Sequence, residues 1–369
     1  MPKLLKKKIK PIEPVSEKVT VKNLKEAPPK FLIPTGNALL NMALSDSVYG
    51  GYGIGKLVNL IGDSSSGKTI LALTMMAECN INPKFNDYDF WFDDAETSLE
   101  IDIKALFGSK LDKRIKFRKS KTIEDFYGFI YNLIQSGKPF LCVLDSFDAL
   151  TSRDEQKRAA EFGKQEAKRS EEDDDADDTD KKEKGSYKTE KPKMASEIFR
   201  VCCEGIAQSN SFLMIISQTR DNIGFGAMFT PKTRSGGKAL KFYASHEIWL
   251  ATGKSHTKHD RAIGADCMVK VTKNKLTGKR REVYFPIYYD YGVDSIESCI
   301  NFLITEKEWS KSKALIDTVG FVPTKMNMNN LIKYIEDNDM ESTLNVLVAR
   351  IWHEIEDAIK LNRQPKYKD

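Results

Sequence analysis

The chain has 369 residues, a hydrophobic fraction of 40% and a formal net charge of +5. This length allows one large core plus a smaller unit, and no apolar run is long enough to cross a bilayer, so we expect a soluble protein. The modest positive charge permits contact with a polyanion but does not require it.

The first segment, residues 1–30, is basic and contains five prolines. No apolar core follows its basic start, so it is not expected to be a secretory signal. We interpret it as an N-terminal extension: a disordered tail is the default, and a strand around residues 19–21 that docks on another subunit is the alternative.

The six cysteines lie far apart or side by side, and none form C-x-x-C. Most of them sit in apolar runs, which indicates reduced, buried thiols and a cytoplasmic protein. A disulfide framework and a cysteine-based zinc site are not expected.

A phosphate-binding loop follows a predicted helix at 38–44 and a glycine-rich turn at 50–55. An apolar strand at 57–61 and a helix from residue 70 flank the pattern G-x-x-x-x-G-K-[ST], formed by Gly62, Asp63, Ser64, Ser65, Ser66, Gly67, Lys68 and Thr69. The glycines let backbone N–H groups turn inward towards phosphate oxygens at a helix N-terminus. We predict that Lys68 reaches the outer phosphates of a nucleoside triphosphate and that the Thr69 hydroxyl binds Mg²⁺.

Two further strands end in acids. The strand at 89–94 is followed by Glu96, and the apolar strand within residues 140–146 ends at Asp145. Between them we predict a helix at 99–107, a strand at 115–117 and a helix at 123–134. In a parallel sheet the ligand lies at the carboxyl ends of the strands, so both acids should meet the phosphate-binding loop there. An acid at a strand end often only caps the next helix. Asp145 is a Mg²⁺ candidate because this acid occurs together with the phosphate-binding loop.

The segment at 153–192 differs sharply because residues 171–180 are almost all acidic. Such a block buries too little apolar surface to offset the entropy of ordering, so we expect a disordered acidic insertion. A regulatory role, such as imitating nucleic acid, is the alternative to a plain solvated linker.

The second half predicts a helix at 194–208 and a buried strand at 212–218 that ends at Gln218. A long basic loop, 219–241, follows it and contains Arg220, Arg234, Gly236, Gly237, Lys238 and Lys241. Loops of that length are usually functional or disordered. Strands are then predicted at 246–251, 267–272 and 282–288, and a small helical unit from residue 293 to residue 369.

Four stretches in this order resemble the RecA family of recombinases: residues 62–69, 92–96, 144–146 and 236–245, followed by 269–275. The resemblance covers about residues 31–292 and implies an α/β fold, a RecA-like P-loop NTPase core with a largely parallel central sheet. The C-terminal unit, with Trp309 and Trp352, resembles the phage-type branch of the family.

The resemblance also implies site roles. Glu96 corresponds to the general base that activates the attacking water, and Gln218 to the residue that senses the γ-phosphate. Lys273 and Lys275 resemble a pair that reaches the ATP site of the neighbouring subunit, and Phe242 resembles an interface residue that passes the ATP signal between subunits.

For DNA, the regions 194–200 and 219–241 resemble the two DNA-binding loops of the family. The candidates are Arg200, Arg220, Arg234, Gly236, Gly237, Lys238 and Lys241, of which we expect about half to touch the DNA backbone. The acidic insertion interrupts the first loop. The residue that stacks on adenine is not evident, and residues 122–125 are the expected neighbourhood.

The leading hypothesis is an ATP-dependent strand-exchange protein that forms homo-oligomeric filaments on single-stranded DNA and tests double-stranded DNA for homology. Single-strand-binding and mediator proteins are implied partners, and the cytoplasm, or a host cytoplasm, is the implied location. A hexameric helicase-type motor and a non-catalytic accessory paralogue are the alternatives. Only a short tail precedes the core, which argues against the motor, and intact Lys68 and Glu96 argue against the paralogue.

Overall fold

A computed structural model describes residues 31–169, 190–221, 232–234, 237–363 and 367. The predicted N-terminal extension and the most acidic part of the insertion lie outside these residues. The strands are β1 (Leu32–Ile33), β2 (Tyr52–Gly53), β3 (Lys56–Gly62), β4 (Asp89–Asp94), β5 (Ile115–Arg118), β6 (Phe140–Asp145), β7 (Phe212–Asp221), β8 (Lys232–Arg234), β9 (His246–Lys258), β10 (Arg261–Asn274), β11 (Glu282–Tyr288), β12 (Gly292–Val293), β13 (Ser310–Ser312) and β14 (Leu315–Asp317).

The helices alternate with these strands in the first half of the chain and dominate its C-terminal part. They are α1 (Ala38–Ser45), α2 (Lys68–Ile81), α3 (Ile103–Phe107), α4 (Ser109–Arg114), α5 (Ile123–Gln135), α6 (Arg153–Arg169), α7 (Glu190–Gln208), α8 (Gly237–Tyr243), α9 (Ser295–Thr305), α10 (Met328–Asp337) and α11 (Glu341–Ala358). No helix in the described part of the chain is long and apolar enough to span a bilayer.

One large sheet organises the molecule, with the strand order β12-β11-β10-β9-β3-β7-β6-β4-β5. The strands from β9 to β5 pair in parallel, and the β9–β10–β11–β12 portion is antiparallel. The predicted α/β fold with a largely parallel central sheet is therefore confirmed.

Alternate residues of the central strands point to opposite faces of this sheet, as the period of a strand requires. Val58, Val143 and Met214 belong to a core that includes α1, α2 and the C-terminal helices. Their neighbours Leu57 and Leu144 belong to a second core, with α5, α7 and α8. Both faces are covered, which explains why these strands read as continuous apolar runs.

The C-terminal part contains α9, α10 and α11 and also the hairpin β13–β14, which we had not expected. Leu331, Val348 and Trp352 of this part belong to the same buried cluster as α1 and α2. A boundary near residue 293 stays a prediction.

The expected disorder at 153–192 is wrong at both ends, because residues 153–169 form α6 and residues 190–192 belong to α7. Ser152 and Glu155 form a reciprocal capping box at its start, with the Glu155 amide donating to Ser152 Oγ at 3.1 Å and the Ser152 amide donating to Glu155 Oε2 at 2.8 Å. The sequence S-R-D-E at residues 152–155 matches the capping-box pattern and was the available signal for this helix. The described side chains of the helix are mostly exposed.

Two other predictions need correction. The helix expected at 99–107 is replaced by the shorter helices α3 and α4, because Gly108, with a φ of +87°, separates them. The loop expected at 219–241 contains ordered backbone: β7 continues to Asp221 and pairs antiparallel with β8, and α8 begins at Gly237.

Candidate nucleotide and DNA site

The phosphate-binding loop connects the carboxyl end of β3 to the first turn of α2. Gly67 caps the helix with a φ of +89°, a conformation that L side chains rarely adopt. A Cβ atom there would also lie 2.5 Å from the Ile287 side chain. The conformation therefore favours glycine at this position, and a larger residue would also have to displace the end of the Ile287 side chain.

Lys68 lies at the centre of this loop and is only 8% exposed. Its ammonium donates to the carbonyl of Asp63 at 2.5 Å and lies 3.4 Å from Ser66 Oγ. Burial lowers the pKa of Lys68, and four nearby carboxylates oppose that shift, those of Asp145, Glu96, Asp63 and Asp148. A buried ammonium held by loop oxygens is suited to binding phosphate oxygens.

Thr69 and Asp145 meet beside this ammonium, where the Thr69 hydroxyl donates to Asp145 Oδ2 at 2.6 Å. Burial, followed by the nearby charge of Glu96, raises the pKa of Asp145 to about 6. A hydroxyl and a carboxylate are hard oxygen ligands of the kind that Mg²⁺ uses together with substrate phosphates. The described residues contain no group of three or more His, Cys, Asp or Glu that could hold a metal ion. A Mg²⁺ ion here would therefore need water and phosphate oxygens as further ligands.

Glu96 follows β4 in a turn beside the end of β6, and its amide donates to the Asp145 carbonyl at 3.2 Å. Glu96 Oε1 accepts a hydrogen bond from Ser146 Oγ and another, at 2.8 Å, from the side-chain amide of Gln218. The structure thus brings Lys68, Thr69, Asp145, Glu96 and Gln218 to one edge of the sheet, as parallel strand ends require.

A cavity of about 560 Å³ lies against this loop, and sequence reasoning missed it. Its walls outside the loop and the first turn of α2 are formed by Ile101, Thr252, Ala265, Asp266, Cys267, Ile287 and Tyr289. The ring of Tyr289, which is 67% exposed, stands at its rim just beyond β11. The run of aromatics at 288–291 was the available signal. The expected neighbourhood, residues 122–125, does not line this cavity: Thr122 caps α5, and Asp125 pairs with Arg118 at 2.5 Å.

Lys273 and Lys275 lie near the amino ends of β3 and β9, whereas the phosphate-binding loop lies at the carboxyl end of β3. The end of β10 pairs with the start of β9, where His246 lies beside Val58 in β3, whereas the loop follows the other end of β3. Both ammonium groups donate to the carbonyl of Phe242, at 2.9 and 3.4 Å, and that of Lys273 also donates to the Lys241 carbonyl. Phe242 itself is 69% exposed.

The DNA-binding candidates in the described residues fall on four elements, α7, α8, β7 and β8. Arg200 is exposed on α7 and Lys241 is exposed on α8, where Gly237 and Lys238 also lie. Arg220 and Arg234 lie in the paired strands β7 and β8, in which Thr219 is opposite Arg234. Gly236 lies outside the described residues. The β7–β8 hairpin thus begins one residue beyond Gln218.

Comparison with known proteins finds one matching family model, that of the RecA N-terminal domain, over residues 3–169 and 176–294. The unmatched gap falls within the acidic insertion. The match extends well into the N-terminal segment that precedes the described residues.

Curated relatives with the name Protein RecA match across most of their length. The protein of Geobacter metallireducens is 31% identical over 283 residues, which is 76% of this chain and 74% of that protein. Those of Acinetobacter baylyi and Thermus thermophilus are 28% and 29% identical over 312 and 308 residues, which cover 84% and 82% of this chain and 80% of each relative.

Proposed function

The chain belongs to the RecA family, and on that premise we propose that it is an ATP-dependent recombination protein. It carries out DNA strand exchange as a filament on single-stranded DNA and is a DNA-dependent ATPase. The observation that carries this proposal is the bond between Gln218 and Glu96. It joins the nucleotide site to the strand that continues into the β7–β8 hairpin.

The nucleotide assignment gives each side chain one task. Lys68 neutralises the outer phosphates, and Thr69 with Asp145 would hold Mg²⁺, which supplies positive charge at the transferring phosphoryl group. Glu96 orients and deprotonates the attacking water. Phosphoryl transfer needs positioning and charge stabilisation more than covalent chemistry, and these residues supply both. Support comes from the hydrogen bonds that already join Thr69 to Asp145 and Glu96 to Gln218.

We assign the cavity beside the loop to the base and ribose of the nucleotide. Its walls are largely apolar, and the exposed ring of Tyr289 offers a flat surface against which a base can stack. Ile101 forms part of another wall.

We assign Lys273 and Lys275 to the nucleotide site of a neighbouring copy. Their place at the other edge of the sheet keeps them away from the loop of their own chain. Exposed Phe242, whose carbonyl binds both ammonium groups, supplies an apolar contact for the same neighbour. The assigned nucleotide site is therefore complete only in an assembly.

The DNA contacts are proposed for the basic residues and glycines of α7, β7, β8 and α8. They would hold the sugar–phosphate backbone and leave the sequence to base pairing. Single-strand-binding and mediator proteins remain proposed partners, and the cytoplasm remains the proposed location. The motor and accessory alternatives are not favoured by the relatives, and the phage-type branch stays a prediction.

Electron microscopy with single-stranded DNA and ATP tests this function. We expect helical filaments from the protein as it stands and loss of ATP turnover in the matched control Lys68→Ala. Rings would support the hexameric motor, and absence of any DNA-bound assembly would contradict strand exchange. Unchanged hydrolysis by Lys68→Ala would contradict the nucleotide assignment.

A further inference from the structure

Two neighbouring residues of β7, Gln218 and Thr219, form hydrogen bonds with carboxylates from three different elements around the nucleotide site. Gln218 is the last residue of β7 that pairs with β3, opposite Gly62. Thr219 therefore lies beside Asp63, the next residue of the phosphate-binding loop. Beyond this point β7 leaves β3 and pairs with β8 instead.

The side chain of Thr219 makes a direct link to the loop, because its hydroxyl donates a hydrogen bond to Asp63 Oδ1. This contact joins the phosphate-binding loop to the first residue of the β7–β8 hairpin. Asp63 also accepts the Lys68 ammonium through its main-chain carbonyl at 2.5 Å. Two hydrogen bonds, both made by Asp63, therefore connect Thr219 to the Lys68 ammonium, which is assigned to the phosphates.

The main chain of Gln218 makes a second link. Its amide N–H donates to Asp148 Oδ2 at 2.7 Å. Asp148 belongs to the single turn of 3₁₀-helix, Phe147–Ala149, that follows the end of β6. Charge-assisted hydrogen bonds to carboxylates are among the stronger ones in proteins, so this bond fixes the backbone from which the Gln218 side chain reaches Glu96.

We propose that Thr219 and Asp148, with Asp63, form a strand-root latch that couples the nucleotide site to the DNA-binding hairpin. Both are positioning residues: Asp148 fixes the Gln218 backbone, and Thr219 carries movement of the hairpin to the phosphate-binding loop. This inference rests on the proposed function. It adds a route from Thr219 to Asp63 that does not pass through the Glu96–Gln218 pair, and it assigns to Asp148 the support of the Gln218 backbone in that pair.

Bound phosphate would change the charge balance around the latch. Asp63, Asp148 and Glu96 all lie close enough to Lys68 to act on its charge. Phosphate groups that enter there bring further negative charge among these carboxylates and compete with Asp63 for the ammonium. Loss of the ammonium from the Asp63 carbonyl would free the loop at Asp63 to move, and Thr219, which is hydrogen-bonded to the Asp63 carboxylate, would move with it.

The test compares Thr219→Val, which removes the hydroxyl but keeps the shape, with Thr219→Ser, which restores a hydroxyl. In Thr219→Val we expect stimulation of ATP hydrolysis by single-stranded DNA to fall about tenfold, within the usual range of coupling between two sites. Hydrolysis without DNA should stay within about twofold of the parent rate, and Thr219→Ser should recover most of the stimulation.

Asp148→Asn is the second variant, since its amide can still accept from Gln218 but without charge. It should lower the ratio of DNA affinities measured with and without a non-hydrolysable ATP analogue, by about fivefold. Thr305→Val is the matched control for Thr219→Val, because Thr305 is exposed at the end of α9 and its hydroxyl donates to the Asn301 carbonyl at 2.8 Å. Melting temperatures of all variants identify any loss of folding, and Thr219→Ser keeps the test valid if Asp148→Asn is unstable.

Parent-like DNA stimulation in Thr219→Val would overturn the latch. An equal loss of rate with and without DNA would also overturn it, because the hydroxyl would then belong to the hydrolysis site. If the parent protein itself shows no DNA-stimulated hydrolysis, the proposed function fails, and this result is distinguishable from failure of the latch alone.

Discussion

At the scale of single residues, Asp145 shows how the site is tuned. The carboxylate is largely buried and lies near Glu96, and both effects raise its pKa. The hydrogen bond from Thr69 offsets them only in part, so the pKa rises from 3.8 to about 6. The folded, nucleotide-free protein therefore carries an unfavourable charge at neutral pH. A bound Mg²⁺ ion would relieve it, which favours the ionised form needed for binding.

We predict that Asp145→Asn stabilises the nucleotide-free protein at pH 8 while it impairs Mg²⁺-dependent hydrolysis at least about tenfold. The pKa shift corresponds to about 3 kcal/mol against the charged form, and we expect a gain of about 1–2 kcal/mol because the amide is also buried. Urea unfolding measures the gain, and the parent protein without nucleotide is the reference.

The pH dependence of this gain follows from the sign of the shift. Below about pH 4 the carboxyl is protonated in both folded and unfolded chains, so Asp145 carries no charge penalty. As the pH rises to about 6, the unfolded chain loses its proton first, and the penalty on the folded parent grows to its full value. The advantage of Asp145→Asn should grow over this window. A variant less stable than the parent at pH 8 would show that the carboxylate is net stabilising.

At the scale of elements, a basic pair before β11 fastens the C-terminal helix to the core. Arg281, which is 10% exposed, contacts Asp46 at 2.5 Å and Glu356 at 2.7 Å, and Lys279 contacts the same two carboxylates. The guanidinium also donates to the Met42 carbonyl at the end of α1. Two elements far apart in sequence, α1 and α11, are thus held by one side chain.

We predict that Arg281→Met lowers the free energy of unfolding by about 2–3 kcal/mol, because two half-buried carboxylates lose their main partner. Urea denaturation followed by tryptophan fluorescence is the measurement, since Trp352 lies 5.1 Å from the guanidinium. Lys360→Met removes an exposed ion pair with Asp357 on the turn after α11 and should change nothing measurable. Equal losses in both variants would argue against a special role for Arg281.

At the scale of the whole molecule, the assigned nucleotide site is divided between the two edges of the sheet. Lys273 and Lys275 lie at the edge away from Lys68, so one copy does not bring them together. If the lysines serve a neighbour, hydrolysis depends on assembly, as it does where an arginine finger is supplied by a second protein.

We predict that Lys273→Ala with Lys275→Ala lowers DNA-stimulated hydrolysis about 100-fold or more and leaves nucleotide binding nearly unchanged. Lys270→Ala, which alters an exposed lysine of the same strand paired with Glu282, is the matched control. Steady-state ATPase assays and nucleotide titration provide the two measurements.

A mixing experiment then separates action within a chain from action between chains. The double lysine variant keeps an intact phosphate-binding loop, and Lys68→Ala keeps intact lysines. Mixed filaments should regain part of the ATPase activity that neither variant shows alone, because some interfaces then combine both intact halves. Mixed filaments without any recovery would show that the lysines do not act between subunits.

The sequence by itself determined the architecture and the nucleotide chemistry. Buried parallel strands leave continuous apolar runs, and G-x-x-x-x-G-K-[ST] between a strand and a helix specifies a phosphate-binding loop by local geometry alone. The convergence of Glu96 and Asp145 with the phosphate-binding loop also followed, because the carboxyl ends of parallel strands share one edge, whereas the role of Gln218 came from the family resemblance. Helix α6 was predictable from its capping box, but the high charge of the neighbouring residues led to the prediction of disorder there.

Tertiary structure alone decided the contacts between residues distant in sequence. The cavity wall with Tyr289, the clamp at Arg281 and the latch from Thr219 to Asp63 depend on strand order and register, which bring together residues up to 310 positions apart. Local patterns can mark single residues, as the aromatic run at 288–291 marks Tyr289, but they do not show which distant residue each one contacts. The physical reason is that propensity and periodicity act over a few residues, whereas register is set by the packing of the complete sheet.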